Sequence, residues 1–123
     1  MHKFLKFAVA EAKKSTFRQR VGAVLYDKNK IISLGYNTSQ RSVKHLLKKY
    51  QKWPNSIHAE VAAILAAKTC CKDMEILVVR VNSKNQLCYS RPCDHCLMYI
   101  EYVGIKRVYY SIGEFPYIEC LKV

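Results

Sequence analysis

Two short segments hold residue types that can do chemistry together: His58-Ala59-Glu60 and Pro92-Cys93-Asp94-His95-Cys96. One imidazole and two thiolates are borderline-to-soft donors, a set suited to Zn2+. Structural zinc is normally closed by four protein ligands, whereas a catalytic site keeps one position for water. Here the three donors are accompanied by Glu60, a carboxylate able to move a proton beside a metal that acidifies water toward a pKa of about 7. The pattern reads as a hydrolytic centre with His58, Cys93 and Cys96 as ligands and Glu60 as proton carrier. The competing reading is a structural zinc closed by Cys70, Cys71 or His95. His95 lies two residues from Cys93 and should project elsewhere on a helix.

These residues need elements to bring them together. Residues 92–103 have helical character, with Pro92 suited to the first helical position and Gly104 placed for a left-handed C-terminal residue. Cys93 and Cys96 would then share one helix face, continued by Leu97, Ile100 and Val103. They would lie in the first turn, where unpaired N–H groups and the helix dipole favour thiolate. Ile57 to about Thr69 is Ala-rich and of high helix propensity. On a regular helix, however, residues two apart point about 200° from each other. His58 and Glu60 can serve one site only if it lies off the tip of that helix.

The remaining pattern predicts an amphipathic helix over residues 3–16 and a β-hairpin from Val21–Asp27 and Ile31–Tyr36 around Lys28, Asn29 and Lys30. Glu75–Asn82 reads as a strand buried on both faces, Lys106–Ser111 as another, and Tyr117–Val123 as a last strand. Too little chain precedes that last strand for a crossover helix, so it should pair antiparallel. The order predicts one domain over residues 1–123, a three-layer α/β/α architecture around a central mixed five-stranded sheet.

Composition narrows the setting. The 123 residues are 50% apolar, which argues against disorder, and no apolar run approaches the roughly 18 residues of a membrane helix. Glu11, Lys13 and Lys14 cut the first apolar stretch short of a signal-peptide core, so a cytoplasmic protein with reduced thiols is expected. Cys70, Cys71, Cys88 and Cys120 read as small buried hydrophobes. The net charge of +12 attracts polyanions and phosphorylated small molecules alike.

His-Ala-Glu followed downstream by Pro-Cys-x-x-Cys resembles the signature of the zinc-dependent cytidine/deoxycytidylate deaminase superfamily. The likeness extends to Val21-Gly22-Ala23-Val24, to Ile31-Ile32-Ser33-Leu34-Gly35-Tyr36-Asn37 and to Val103-Gly104-Ile105-Lys106-Arg107-Val108-Tyr109-Tyr110, covering nearly the whole chain. It implies zinc held by His58, Cys93 and Cys96, with water attacking C4 of a cytosine ring. Glu60 would protonate N3 and then the departing amine. The resemblance also implies that Asn37 faces the sugar or base edge, that the Ala59 N–H holds the ring carbonyl, and that the chain is a homo-oligomer.

Substrate size stays open at this point. Ser90 and Arg91 precede Pro92 where tRNA adenosine and guanine deaminases carry Glu, which favours cytosine. Ala62 and Thr38-Ser39-Gln40-Arg41 depart from deoxycytidylate deaminases. For a free nucleoside or nucleotide, Ser90, Arg18 and Tyr110 are further candidate substrate contacts, Arg18 with Arg20 for a 5′-phosphate. The alternative is a deaminase of cytosine or adenine in single-stranded DNA or RNA. Its motive is residues 41–53, where Arg41, Lys44, His45, Lys48, Lys49 and Lys52 interleave with Tyr50 and Trp53. A second alternative is a zinc-stabilised nucleic-acid-binding module without chemistry.

Overall fold

The computed structural model describes residues 2–38 and 57–123. The basic segment 41–53 lies outside them. Helix α1 (Leu5–Ala12) is followed by strands β1 (Arg20–Asp27) and β2 (Lys30–Tyr36), helix α2 (Ala59–Ala67) and strand β3 (Glu75–Val81). Strand β4 (Leu87–Cys88), helix α3 (Asp94–Tyr102) and strands β5 (Arg107–Ser111) and β6 (Ile118–Lys122) complete the order.

The strands form one sheet in the order β2-β1-β3-β5-β6, with β4 paired to β3 beside this path. β3 and β5 run parallel, while β1/β2, β1/β3, β3/β4 and β5/β6 are antiparallel. The last strand therefore pairs as the short connection requires. Among the described residues the sheet has six strands rather than the expected five. The additional β4 returns on β3 through a turn in which Asn85 takes a φ of 61° and the Asn82 side chain accepts the N–H groups of Lys84 and Gln86.

Alternation along the strands sorts the core into two layers. Val24, Tyr26, Leu77, Val79 and Val81 face α1, where Phe4, Ala8 and Ala12 are buried. Ala23, Leu25, Ile76, Val78 and Val108 face the other way, onto Ala63 and Ile64 of α2 and Cys96 and Ile100 of α3. This is the expected three-layer arrangement. Helix α1 is shorter than residues 3–16, and α3 begins at Asp94, so Pro92 lies outside it. Gly104, at φ +87°, follows the C-cap of α3 as its left-handed successor. Cys71 is buried as expected, but Cys70 and Cys120 are exposed and Cys88 is half-buried. Cys120 sits on the outermost strand, and Cys70 follows the left-handed end of α2 at Lys68.

The approach of α2 to β2 is set by Gly35. A Cβ there would fall onto the backbone N of Ala63 and within 2.7 Å of the Ala59 carbonyl oxygen. Ser33 fixes the same contact by donating to the Ala63 carbonyl at 2.6 Å. Gly35→Ala is therefore expected to destabilise the fold by about 1–3 kcal/mol in urea unfolding, because backbone atoms cannot move aside as a side chain would.

Candidate metal centre and its cleft

His58 and Cys93 occupy equivalent places. Each is the N-cap of its helix with extended backbone (φ −71°, ψ 154° and φ −67°, ψ 163°), and each carbonyl accepts the first intrahelical bond, from Ala62 and Leu97 at 2.9 Å. The phase conflict between His58 and Glu60 disappears for this reason: His58 is not a helical residue. Cys93 likewise stands just before α3 rather than within its first turn. The two helix starts bring the donor atoms of His58, Cys93 and Cys96 to within 4.8 Å of one another, with His58 Nδ1 3.2 Å from Cys96 Sγ. Tetrahedral zinc needs bonds of about 2.0–2.3 Å to such donors, so atoms at this separation fit around one ion. Among the described residues this is the metal-competent cluster, and Cys70, Cys71 and His95 do not join it.

Electrostatics divides the two thiols. Cys93 is pulled down to about 5, first by the Cys96 S–H that hydrogen-bonds it, with help from His58. Cys96 is pushed up because it carries that proton and is buried. Glu60, the second residue of α2, is 5% exposed and is pushed up to about 7. Burial is the main cause, reinforced by the negative charge at Cys93 and opposed by its own backbone N–H and by Cys96. A carboxyl group so placed can hold or release a proton near neutrality.

A cleft of about 640 Å³ opens onto these groups and is lined by His58, Ala59, Glu60, Pro92 and Cys93 together with Asn37, Ser90 and Arg18. Ala59 stands at the start of α2, where its N–H precedes the first intrahelical bond. Asn37 lies in the wall, but both ends of its amide are engaged: Oδ1 accepts the Val21 N–H at 2.9 Å and Nδ2 donates to the Gln19 carbonyl at 2.7 Å. Ser90 is engaged too. Its hydroxyl donates to the Val78 carbonyl (2.9 Å) and accepts the N–H of the fully buried Ser111 (2.8 Å). Tyr110 is not among the cleft residues; it lies on the α2/α3 face with Val108, packs edge-on against the cleft residue Tyr89 at 6.1 Å, and its hydroxyl donates to Glu119 of β6 at 2.8 Å. Arg20 is held outside by the Asn82 carbonyl and the Asn85 side chain.

Sequence reasoning missed Arg80, Tyr89, Phe17 and Gln19, all of which line the cleft. Arg80 carried a signal, as the single charge inside the apolar run Ile76–Val81. The other three have no local signature, because loops bring them to the site.

Residues 1–112 match the family described as the cytidine and deoxycytidylate deaminase zinc-binding region. The chain belongs to this family. A curated relative, an uncharacterised deaminase in the luxG 3′ region of Aliivibrio fischeri, is 31% identical over 101 residues, which are 73% of this chain and 56% of the relative. The chain thus spans little more than half of that protein's length. Among solved structures, the dCMP deaminase of cyanophage S-TIM5 in complex with dCMP and dUMP superposes with a TM-score of 0.65 at 24% identity, over 89% of this chain and 78% of that one. Cytidine deaminase from Burkholderia pseudomallei gives 0.65 at 19%, over 99% and 93%. At these identities the structural likeness concerns the fold: the family's α/β layers are present, and no described helix is long and apolar enough to cross a membrane.

Two outcomes follow for this deaminase-family chain. Cys93→Ala should lose zinc and melt at lower temperature, since metal affinity is part of the folding free energy; metal analysis and thermal unfolding check this. Ser90→Ala should cost about 1–3 kcal/mol in denaturant unfolding, because it strands the buried Ser111 N–H.

Proposed function

We propose that this protein deaminates the cytosine ring of a free nucleoside or nucleotide by zinc-dependent hydrolysis, releasing ammonia and leaving a uracil ring. The observation that carries the reading is a buried carboxyl group, Glu60, in the same cleft wall as a three-donor cluster at two helix starts. Membership of a zinc-binding deaminase family supports it, as does the fold shared with proteins described as acting on dCMP and cytidine.

His58, Cys93 and Cys96 would hold the ion, which when bound supplies the Lewis acidity that makes water nucleophilic near neutral pH. Glu60 takes a proton from the attacking water as its oxygen bonds to C4, and passes that proton to N3. It then carries the second water proton to the exocyclic amine, which leaves as ammonia while the C4 oxygen becomes a carbonyl. Burial serves both transfers, since a carboxyl group held near neutrality accepts and returns protons with little bias. The Ala59 N–H at the start of α2 is suited to hold the ring carbonyl, with the positive end of the helix dipole behind it. Asn37 acts on the substrate chiefly by bracing Gln19 and Val21, the wall against which it lies.

The test is Glu60→Gln. Zinc content and melting temperature should be retained, while ammonia release from cytidine, deoxycytidine and their monophosphates falls by roughly 10²–10⁴-fold, the usual contribution of a proton-transfer group. Undiminished turnover in this variant would remove Glu60 from the reaction, and with it the reading.

A further inference from the structure

Arg80 occupies a place that the reaction at C4 does not explain. Along β3 its side chain alternates with Ile76 and Val78 on the α2/α3 face, which is the face bearing the metal centre. Its backbone is pinned on both sides, opposite Val21 of β1 and Cys88 of β4, and its N–H donates to Ser111 Oγ at 3.1 Å. The guanidinium is thereby delivered into the cleft from a rigid strand rather than a loop. Its Nε is buried without a hydrogen-bond partner among the described residues. Guanidinium stays charged at any working pH, and a buried donor lacking an acceptor is a costly exception in a folded chain.

Among the described residues no carboxylate forms an ion pair with it. The ion pairs among the described residues are Lys14–Glu11 and Arg107–Glu75, both away from the cleft. The cleft wall instead adds two further guanidiniums, Arg18 and Arg91, both exposed, and among the described residues Glu60 is the one carboxyl group lining it. Arg20 provides a contrast, because its guanidinium is consumed by the Asn82 carbonyl and Asn85 side chain of the β3–β4 turn. Three cations against one carboxyl group give the cleft lining a positive excess suited to an anion. The planar fork of Arg matches phosphate oxygens two at a time.

We propose that Arg80 is the specificity-determining residue of this cleft, binding the phosphate of a cytosine nucleoside monophosphate while Arg18 and Arg91 attract it at the mouth. This rests on the deaminase reading and narrows its substrate from nucleoside or nucleotide to the nucleotide. A phosphate could also arrive within a polynucleotide. The place of Arg80 on a strand in the cleft lining, rather than in an exposed loop, favours a terminal phosphate that enters with its own base.

The experiment uses the zinc-loaded chain with Arg80→Gln and Arg80→Lys. It compares kcat/KM for the cytidine and deoxycytidine monophosphates, for the two nucleosides, and for a cytosine-bearing oligonucleotide. A parallel arm measures binding of dUMP and of deoxyuridine by calorimetry. The wild type should prefer the monophosphates and bind dUMP over deoxyuridine. Arg80→Gln should lose roughly 10- to 100-fold on monophosphates and on dUMP, the size of a charged hydrogen bond, with a far smaller loss on the nucleosides. Arg80→Lys should fall between, keeping the charge without the fork. Should Arg80→Gln fail to fold, Arg80→Lys decides by the same comparison. Equal losses on nucleoside and monophosphate would reduce Arg80 to a structural role and overturn the proposal. So would a wild type indifferent to the phosphate or preferring the oligonucleotide. If no cytosine compound releases ammonia, the deaminase reading falls instead, and the dUMP arm still judges Arg80.

Discussion

The structure depends on two helices beginning at one place on one face of the sheet. α2 and α3 each open with a residue whose extended backbone lies outside the helix and whose side chain is a metal donor. Helix starts are where N–H groups lack partners and the dipole is positive, which favours thiolate at Cys93 before any ion binds, while at Glu60 burial outweighs it. The strands fix the meeting. β3 and β5 are parallel neighbours, which requires a crossover, and α3 is that crossover. α2 reaches the same edge because Gly35 lets its backbone settle directly on β2.

The cleft exists because β3 and β5 part company. Their pairing runs from Glu75↔Arg107 to Val78↔Tyr110 and stops. Beyond it the backbone groups still need partners, since buried N–H and C=O groups are rarely left unmade. Ser90 and Ser111 supply them. Ser111 Oγ donates to the Cys88 carbonyl and accepts the Arg80 N–H, while Ser90 Oγ accepts the Ser111 N–H and donates to the Val78 carbonyl. Two hydroxyls thus hold the opening, and β4 fills the place beside β3 that β5 has left. The returning β4 strand then leads straight to Pro92 and Cys93.

Charge follows the same geometry. The buried end of the cleft holds one carboxyl group and the thiols, where burial keeps Glu60 close to neutrality. The same cleft is lined by the guanidinium-bearing Arg18, Arg80 and Arg91. These side chains give local form to an excess of 21 Lys and Arg over 9 Asp and Glu.

The amino-acid sequence by itself determined the three-donor set, the acidic residue beside it and the layer order, because these depend on residue type, short spacing and hydrophobic period. His58, Glu60, Cys93 and Cys96 are close to one another within two short segments, and the strands of this sheet carry apolar runs that are hard to misread. What periodicity misplaced were residues at element ends: it put His58 and Cys93 inside helices, where the phase is wrong, and overlooked the two-residue β4, too short to show a period. Only the tertiary structure decided which polar side chains line the cleft with free groups and which are consumed in holding its walls. Asn37, Ser90 and Arg20 find partners on strands and turns distant in sequence, Tyr110 turns to Glu119, and Arg80 is left facing the cleft. Hydrogen-bond satisfaction is a property of neighbours in space, and those neighbours are chosen by the sheet.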